Sequence, residues 1–217
     1  EQDFFMHTFV ERLLANGIEA DSIYDYAEFF EDSTAVHITQ FDCPVQSVLN
    51  QALKKSDNLS AEALLYRLAS QCEGNKRVCA EDGVKAINRL IQKLGHNPKD
   101  YRIVDGSGLS NYDYLSPALL VDFLKYTYSQ TGIFQHIYKA LPIAGVDGTL
   151  QNRMKEQSAA RSNVHAKTGS YTGICTLAGY AKSSDGNDIA FAIMNQSVMK
   201  LADARKLQDK ICEIICE

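Results

Sequence analysis

The sequence has little that points to a membrane or to a nucleic acid. No apolar run approaches the ~20 residues that a helix needs to cross a bilayer, so we expect no transmembrane segment. No secretory signal peptide is evident, because the first three residues (EQD) lack the basic start of such a peptide. The net charge of −5 at pH 7 lacks the basic excess of nucleic-acid-binding proteins, and we expect no nucleic-acid partner.

Metal-ligand spacing is also missing. The six cysteines form no C-x-x-C pair, and the histidines show no paired spacing, so we predict no metal site. An even number of cysteines permits disulfides without requiring them. Cys72 and Cys79 flank the polar run EGNKRV and would close a loop in an oxidising compartment. Cys212 and Cys216 lie one helical turn apart. Free thiols and at least one disulfide both stay open at this point.

The order of elements favours an α/β domain. The chain has 217 residues, a length that suits one large domain, or a domain plus a piece of another. The chain opens inside an amphipathic helix pattern, and we expect it to begin partway through a longer protein. Periodicity and capping residues predict helices at 4–16, 44–55, 59–70, 81–94, 117–129, 133–139, 149–156 and 201–216, and strands at 35–40, along a hairpin within 164–181, and at 188–195. A helix-rich middle followed by antiparallel strands and a terminal helix predicts helices packed on a sheet.

One predicted strand carries a cation, a hydroxyl and a glycine side by side. These are Lys167, Thr168 and Gly169, and K-[ST]-G occurs once where composition gives roughly 0.1 by chance. Glycine lets another chain approach a strand closely. An extended peptide along this edge would place a terminal carboxylate against the cation and the hydroxyl.

A second polar string, Ser56-Asp57-Asn58, lies between two predicted helices. S-x-N also occurs once, but chance alone gives roughly 0.8. Such residues between helices are typical capping residues, so the string by itself indicates a helix boundary.

The order of the two strings in the chain favours a functional interpretation of both over a structural one. S-D-N followed by K-T-G on a strand is found in penicillin-binding proteins and class A β-lactamases. Four phrases, KKSDNLSAEALLYRLA, IVDGSGLSNYDYLSP, LPIAGVDGTLQNRM and NVHAKTGSYTGICTLAGYA, resemble in order the low-molecular-mass class C penicillin-binding proteins, the D-Ala-D-Ala carboxypeptidase/endopeptidase family. The resemblance runs from about residue 44 to residue 216.

The resemblance implies the serine β-lactamase/transpeptidase-like fold, in which a five-stranded antiparallel sheet is flanked by helices and joined to a helical lobe. On that basis, residues 1–40 are the end of a preceding region with a lead-in helix and strand. Residues 41–217 are the C-terminal part of the transpeptidase-like domain, with a helical lobe at about 44–160 and the sheet and terminal helix at about 161–217. The N-terminal part of the fold would be missing.

The resemblance also implies covalent acyl transfer and a role for each matching residue. The implied catalytic residues are Ser56, which relays a proton toward the leaving amine, Asn58, which holds the substrate amide, and Lys167, which supplies positive potential. The implied substrate-binding residues are Thr168, whose hydroxyl bonds the substrate carboxylate, Gly169, and Ser170, whose N–H forms half of an oxyanion hole. The implied partners are peptidoglycan stem peptides and β-lactams, the implied location is periplasmic or otherwise extracytoplasmic, and no metal or organic cofactor is implied.

The family's nucleophile motif, S-x-x-K, is not found at the position in the sequence where the family has it. The family places S-x-x-K well before S-D-N, whereas the one S-x-x-K of this chain, at 197–200, follows K-T-G at a strand-to-helix junction. We therefore predict that the chain alone is inactive and forms no penicilloyl adduct. A non-catalytic peptidoglycan- or partner-binding relative stays open as an alternative. A class A β-lactamase is disfavoured, because no E-x-x-x-N lies between the two strings.

Three further features have structural interpretations. The DGSGLS phrase at 105–110 lacks G-x-S-x-G and is interpreted as a turn that shapes the cleft. The DGT string at 147–149 is interpreted as a loop-to-helix cap near the cleft rim. His165 shares a strand face with Lys167 and is interpreted as a structural residue.

Overall fold

The computed structural model describes residues 2–19, 36, 41–74, 77–155 and 157–217. The chain divides into two compact units, Glu1–Asp42 and Cys43–Glu217. The described part of the first unit contains helix α1 (Gln2–Ala15), which is followed by Gly17 at φ +75°, as predicted for a helix that ends at glycine. The strand predicted for 35–40 lies outside the described residues, apart from Val36.

The second unit begins with a group of helices. They are α2 (Val45–Lys54), α3 (Asn58–Glu73), α4 (Ala80–Lys93), α5 (Pro117–Ser129) and α6 (Thr131–Ala140). The position of Asp57 explains why α3 begins where it does, since its carboxylate accepts the N–H of Ser60 at 2.8 Å. The predicted helix at 149–156 is wrong. A 3-10 turn spans Gly148–Leu150, and the left-handed φ of +47° at Met154 interrupts any helix there.

Three antiparallel strands follow in the order β1-β2-β3. They are β1 (His165–Tyr171), β2 (Ile174–Lys182) and β3 (Asp188–Asn195), and they match the predicted hairpin and third strand. The five-stranded sheet implied by the resemblance is therefore represented by three strands within the described residues. Successive β1 side chains alternate between two faces, so Lys167 and Thr168 point to opposite sides of the sheet.

The two faces of the sheet pack against different helices. One face carries Leu177 and Phe191 and is covered by Cys212 of α7 (Leu201–Cys216), the predicted terminal helix. The other face carries Tyr180, whose ring contacts Phe134 of α6 at 5.2 Å between centroids. Lys167 shares this second face, because His165 pairs with Tyr180 and Lys167 lies two residues further along β1. The fold thus directs the Lys167 side chain toward the helical lobe.

All six cysteines are free thiols in the structure. Cys43, Cys72 and Cys79 are exposed, and Cys175, Cys212 and Cys216 are buried. The disulfide considered for Cys72 and Cys79 is therefore not formed. Cys79 instead begins α4, with its Sγ 3.2 Å from a carboxylate oxygen of Asp82.

One fully buried polar side chain ties α7 to the sheet. The Gln208 amide N–H₂ donates to the Cys175 carbonyl at 3.1 Å and to the Asn195 side-chain oxygen at 3.0 Å. Its amide oxygen accepts from Arg153 at 3.1 Å, and Arg153 also pairs with Asp209 at 2.6 Å. Each polar atom of the Gln208 side chain thus has a hydrogen-bond partner. A polar side chain can be buried without a large energetic cost only when its polar atoms are paired in this way.

We expect Gln208→Leu to lower the free energy of unfolding by about 2–4 kcal/mol, since it leaves buried acceptors without a donor at nearly constant side-chain volume. Urea unfolding followed by circular dichroism measures the change. Gln92→Leu, at an exposed glutamine of α4, is the matched control and should stay within about 0.5 kcal/mol of the unaltered chain. Equal changes in both variants would contradict a special role for the Gln208 network.

Candidate active site

Lys167 and Ser56, 111 residues apart in the chain, meet across a cleft. The ammonium of Lys167 donates to Ser56 Oγ at 2.7 Å and to the backbone carbonyl of Thr168 at 2.6 Å. Ser56 sits at the end of α2 with a left-handed φ of +57°, which is uncommon for a residue other than glycine and is often found at functional sites. The two strings singled out in the sequence therefore form one site.

The environment of Lys167 favours loss of its proton. Burial between β1 and the helical lobe lowers the pKa of its ammonium, because the charged form is poorly solvated there. Its ammonium donates to Ser56 Oγ, and the hydroxyl hydrogen of Ser56 stays free to point elsewhere. This pair is suited to passing a proton between the lysine and a third group.

The other two residues of the S-D-N string differ in role. Asp57 caps α3 through Ser60, so it fixes the backbone. Asn58 is the first residue of α3 and lines the same groove as Ser56 and Lys167. The capping interpretation of the string is thus right for Asp57, and all three residues of the string line the groove.

The outer edge of β1 is open beside this pair within the described part of the chain. The Ala166 N–H points outward and donates to the Pro142 carbonyl at 3.0 Å. Because amide direction alternates along a strand, the N–H groups of Thr168 and Ser170 point to the same edge. A Cβ on Gly169 would lie 2.3 Å from the Thr176 hydroxyl, so glycine here also makes room for the neighbouring strand.

Two further residues reach this edge from the opposite face. The Thr168 hydroxyl lies 2.8 Å from the Thr149 hydroxyl, and the Ser170 hydroxyl accepts from Arg205 of α7 at 3.3 Å. Thr149 belongs to the DGT string, which was predicted to be a loop-to-helix cap near the cleft rim, but its contact with Thr168 was not predicted. Arg205 had no local signal, because its contact depends on how α7 packs against the sheet.

A groove of about 360 Å³ runs from Ser56 and Lys167 into the helical lobe. Its lining is mostly apolar and comes chiefly from α2, α3 and α4, with Leu49, Ala52, Leu53, Ala61, Leu64, Leu65, Leu68 and Ile87. Gly106 and Ser107 complete one wall, and both donate backbone N–H bonds to Glu62, at 3.1 and 2.9 Å. The DGSGLS phrase thus forms a turn at the cleft, in agreement with its interpretation.

The remaining candidates lie apart from the site. The His165 ring stacks on Tyr138 with centroids 4.0 Å apart, and burial lowers the pKa of its imidazole. These contacts fit the structural interpretation of His165. Ser197 lies between β3 and α7, and the following residue, Val198, bonds the carbonyl of Gly173 at the far end of the β1–β2 hairpin. Among the described residues, no group of acidic, histidine or cysteine side chains is arranged to hold a metal ion.

The contact between Lys167 and Ser56 brings together the S-D-N and K-T-G strings that penicillin-binding proteins and class A β-lactamases share. Among solved structures, penicillin-binding protein 4 (dacB) from Haemophilus influenzae, crystallised with a β-lactam, matches 99% of this chain with a TM-score of 0.78 and 26% identity. The TLA-3 β-lactamase, at 17% identity and a TM-score of 0.54, shares the fold alone.

The chain belongs to the D-Ala-D-Ala carboxypeptidase 3 (S13) family, whose sequence profile matches residues 1–216. It is 33% identical to the D-alanyl-D-alanine carboxypeptidase DacB of Haemophilus influenzae over 149 residues, which cover 68% of this chain and 31% of the relative. It is 32% identical to the penicillin-sensitive carboxypeptidase A of Dictyostelium discoideum over 176 residues, 77% of this chain and 33% of that protein. The chain thus spans about a third of the length of these relatives. Within the described residues, no helix is long and apolar enough to cross a membrane.

Proposed function

We propose that this chain is the C-terminal part of a serine D-Ala-D-Ala carboxypeptidase/endopeptidase that cleaves peptidoglycan stem peptides and binds penicillin outside the cytoplasmic membrane. The observation that carries the proposal is the 2.7 Å contact between Lys167 and Ser56 beside the open edge of β1. A stem peptide would lie along this edge, with its terminal carboxylate at Thr168 and its scissile carbonyl at the outward N–H of Ser170.

The reaction proceeds in two steps. A serine hydroxyl attacks the carbonyl of the D-Ala-D-Ala bond and passes its proton to the lysine of its own S-x-x-K motif, while a new ester C–O bond forms and the amide C–N bond breaks. The leaving D-alanine needs a proton on its amine. Ser56 gives its free hydroxyl hydrogen to the amine and takes a proton from the Lys167 ammonium. Water then splits the ester and restores the serine. Asn58 lines the groove where the substrate amide would pass.

The attacking serine comes from outside these 217 residues in this proposal. The single S-x-x-K string lies at the end of the hairpin away from Ser56, whereas the groove beside Ser56 and Lys167 is apolar and open. A helix carrying S-x-x-K, contributed by a segment before Glu1, would fill this groove with its apolar face and bring its serine to the cleft. The short coverage of the relatives supports this arrangement.

The missing motif also fits a second function, a non-catalytic relative that binds peptidoglycan or a partner. D-Ala release separates the two. A form of the protein extended before Glu1 by its own upstream sequence is expected to release D-alanine from a peptide ending in D-Ala-D-Ala and not from one ending in L-Ala-L-Ala. An extended form that binds the peptide without releasing D-alanine would contradict the enzyme and favour the binding module.

A further inference from the structure

The Thr149 side chain contacts the proposed carboxylate ligand Thr168, and the proposed function gives it no chemical role. Its hydroxyl lies 2.8 Å from the hydroxyl of Thr168, the predicted carboxylate ligand. Each hydroxyl has one hydrogen to donate and accepts through two lone pairs. Without a ligand, the Thr168 hydroxyl donates its hydrogen to Thr149. A bound anion accepts that single hydrogen instead, and the Thr149 hydroxyl rotates to donate to the Thr168 oxygen. The pair then forms a short chain of donors that ends at the ligand.

The turn that carries Thr149 is held firmly. The Asp147 carboxylate accepts from the Ile143 N–H at 2.9 Å and pairs with Lys54 at 2.5 Å. Gly148 has φ +56°, and a Cβ there would lie 2.7 Å from the Lys54 carbonyl oxygen, so the turn packs directly on the last residue of α2. Thr149 is therefore fixed to the same helix end that presents Ser56.

This anchoring places two hydroxyls around β1. Ser56 meets Lys167 on the face toward the helical lobe, and Thr149 meets Thr168 on the opposite face. The C-terminal end of α2 fixes the positions of both Ser56 and Thr149. The same helix end therefore also fixes the distance between the proton-transfer side and the carboxylate side of the cleft.

From these contacts we infer that Thr149 is a positioning residue, which orients the Thr168 hydroxyl to donate to the free terminal carboxylate of a stem peptide or β-lactam. The inference rests on the proposed function and adds a residue to it. Thr149 acts through Thr168, so its effect depends on whether the ligand carries that carboxylate.

The test uses the extended form of the protein and two ligands that differ only at the carboxylate, benzylpenicillin and its uncharged methyl ester. Thr149→Val is expected to lower the second-order rate constant of acylation by benzylpenicillin about tenfold and that of the ester less than twofold. Thr149→Ser, which keeps the hydroxyl, is expected to remain within twofold of the unaltered protein for both ligands. Adding Thr149→Val to Thr168→Val is expected to cause no further loss, because the two hydroxyls act as one unit.

Two results would overturn the inference. An equal loss of rate with both ligands would show that Thr149 only supports the fold, and unchanged rates with benzylpenicillin would show that it does not orient Thr168. A failure of the proposed function would give a different result from a failure of this inference. If the proposed function is wrong, neither ligand acylates the unaltered extended protein.

Discussion

Incubation of the 217-residue chain with benzylpenicillin is expected to leave its mass unchanged. The groove begins at the Lys167–Ser56 contact, where the proposed proton relay would act, but the family's nucleophile string is not placed beside it. Intact-protein mass spectrometry measures the result directly. The same treatment of the extended form is expected to add one penicilloyl group per molecule. The two forms should therefore differ by the full mass of one penicilloyl group.

The control for this experiment is Ser197→Ala, which removes the serine of the one S-x-x-K string in the chain. A stoichiometric adduct on the 217-residue chain would contradict the prediction. If Ser197→Ala abolished that adduct, Ser197 would be the nucleophile, and the site would have to be assigned again around the hairpin end near Gly173.

In the extended form, we expect Ser56→Ala and Lys167→Ala each to lower D-alanine release by ~100-fold or more. Removing Ser56 takes away the hydroxyl that passes the proton to the leaving amine. Removing Lys167 takes away both the hydrogen bond to that hydroxyl and the positive potential at the carboxylate. Initial rates of D-alanine release at saturating and subsaturating peptide separate an effect on turnover from one on binding.

Matched controls are available for both substitutions. Ser129→Ala and Lys139→Ala change exposed residues of α5 and α6 and are expected to leave the rate within twofold. Equal thermal midpoints across the four variants would assign the loss to chemistry. Unchanged turnover in Ser56→Ala or in Lys167→Ala would remove the role assigned to that residue.

The sequence predicts best where a local signal decides the structure. Helix α5 begins and ends as predicted, because Ser116 caps it by accepting the Leu119 N–H at 3.1 Å and Pro117 fits the first helical position. The partnership of Ser56 and Lys167 was predicted from a resemblance between strings, and the structure places them in contact. The first prediction follows from local signals, whereas the second joins residues 111 apart in the chain and came only from the resemblance.

The misses share the opposite cause. Thr149 reaches Thr168 because Asp147 and Lys54 pin its turn to α2, and that ion pair joins residues 93 apart. The helix predicted for 149–156 failed at the same place, since the tertiary contacts of the turn override local helix propensity. The apolar groove was also not foreseen, because its walls look like ordinary core positions until the whole lobe is assembled.

The division of the cysteines into three exposed and three buried thiols determines which of them an oxidant could reach. Thiolates, not thiols, attack disulfides, and burial raises the pKa of Cys212 to about 12 and also raises that of Cys216. These two thiols, together with the buried Cys175 of β2, are withdrawn from disulfide exchange while α7 stays packed on the sheet. These thiols therefore become reactive only when α7 separates from the sheet. Folding thus protects the chain from disulfide cross-links through its buried cysteines.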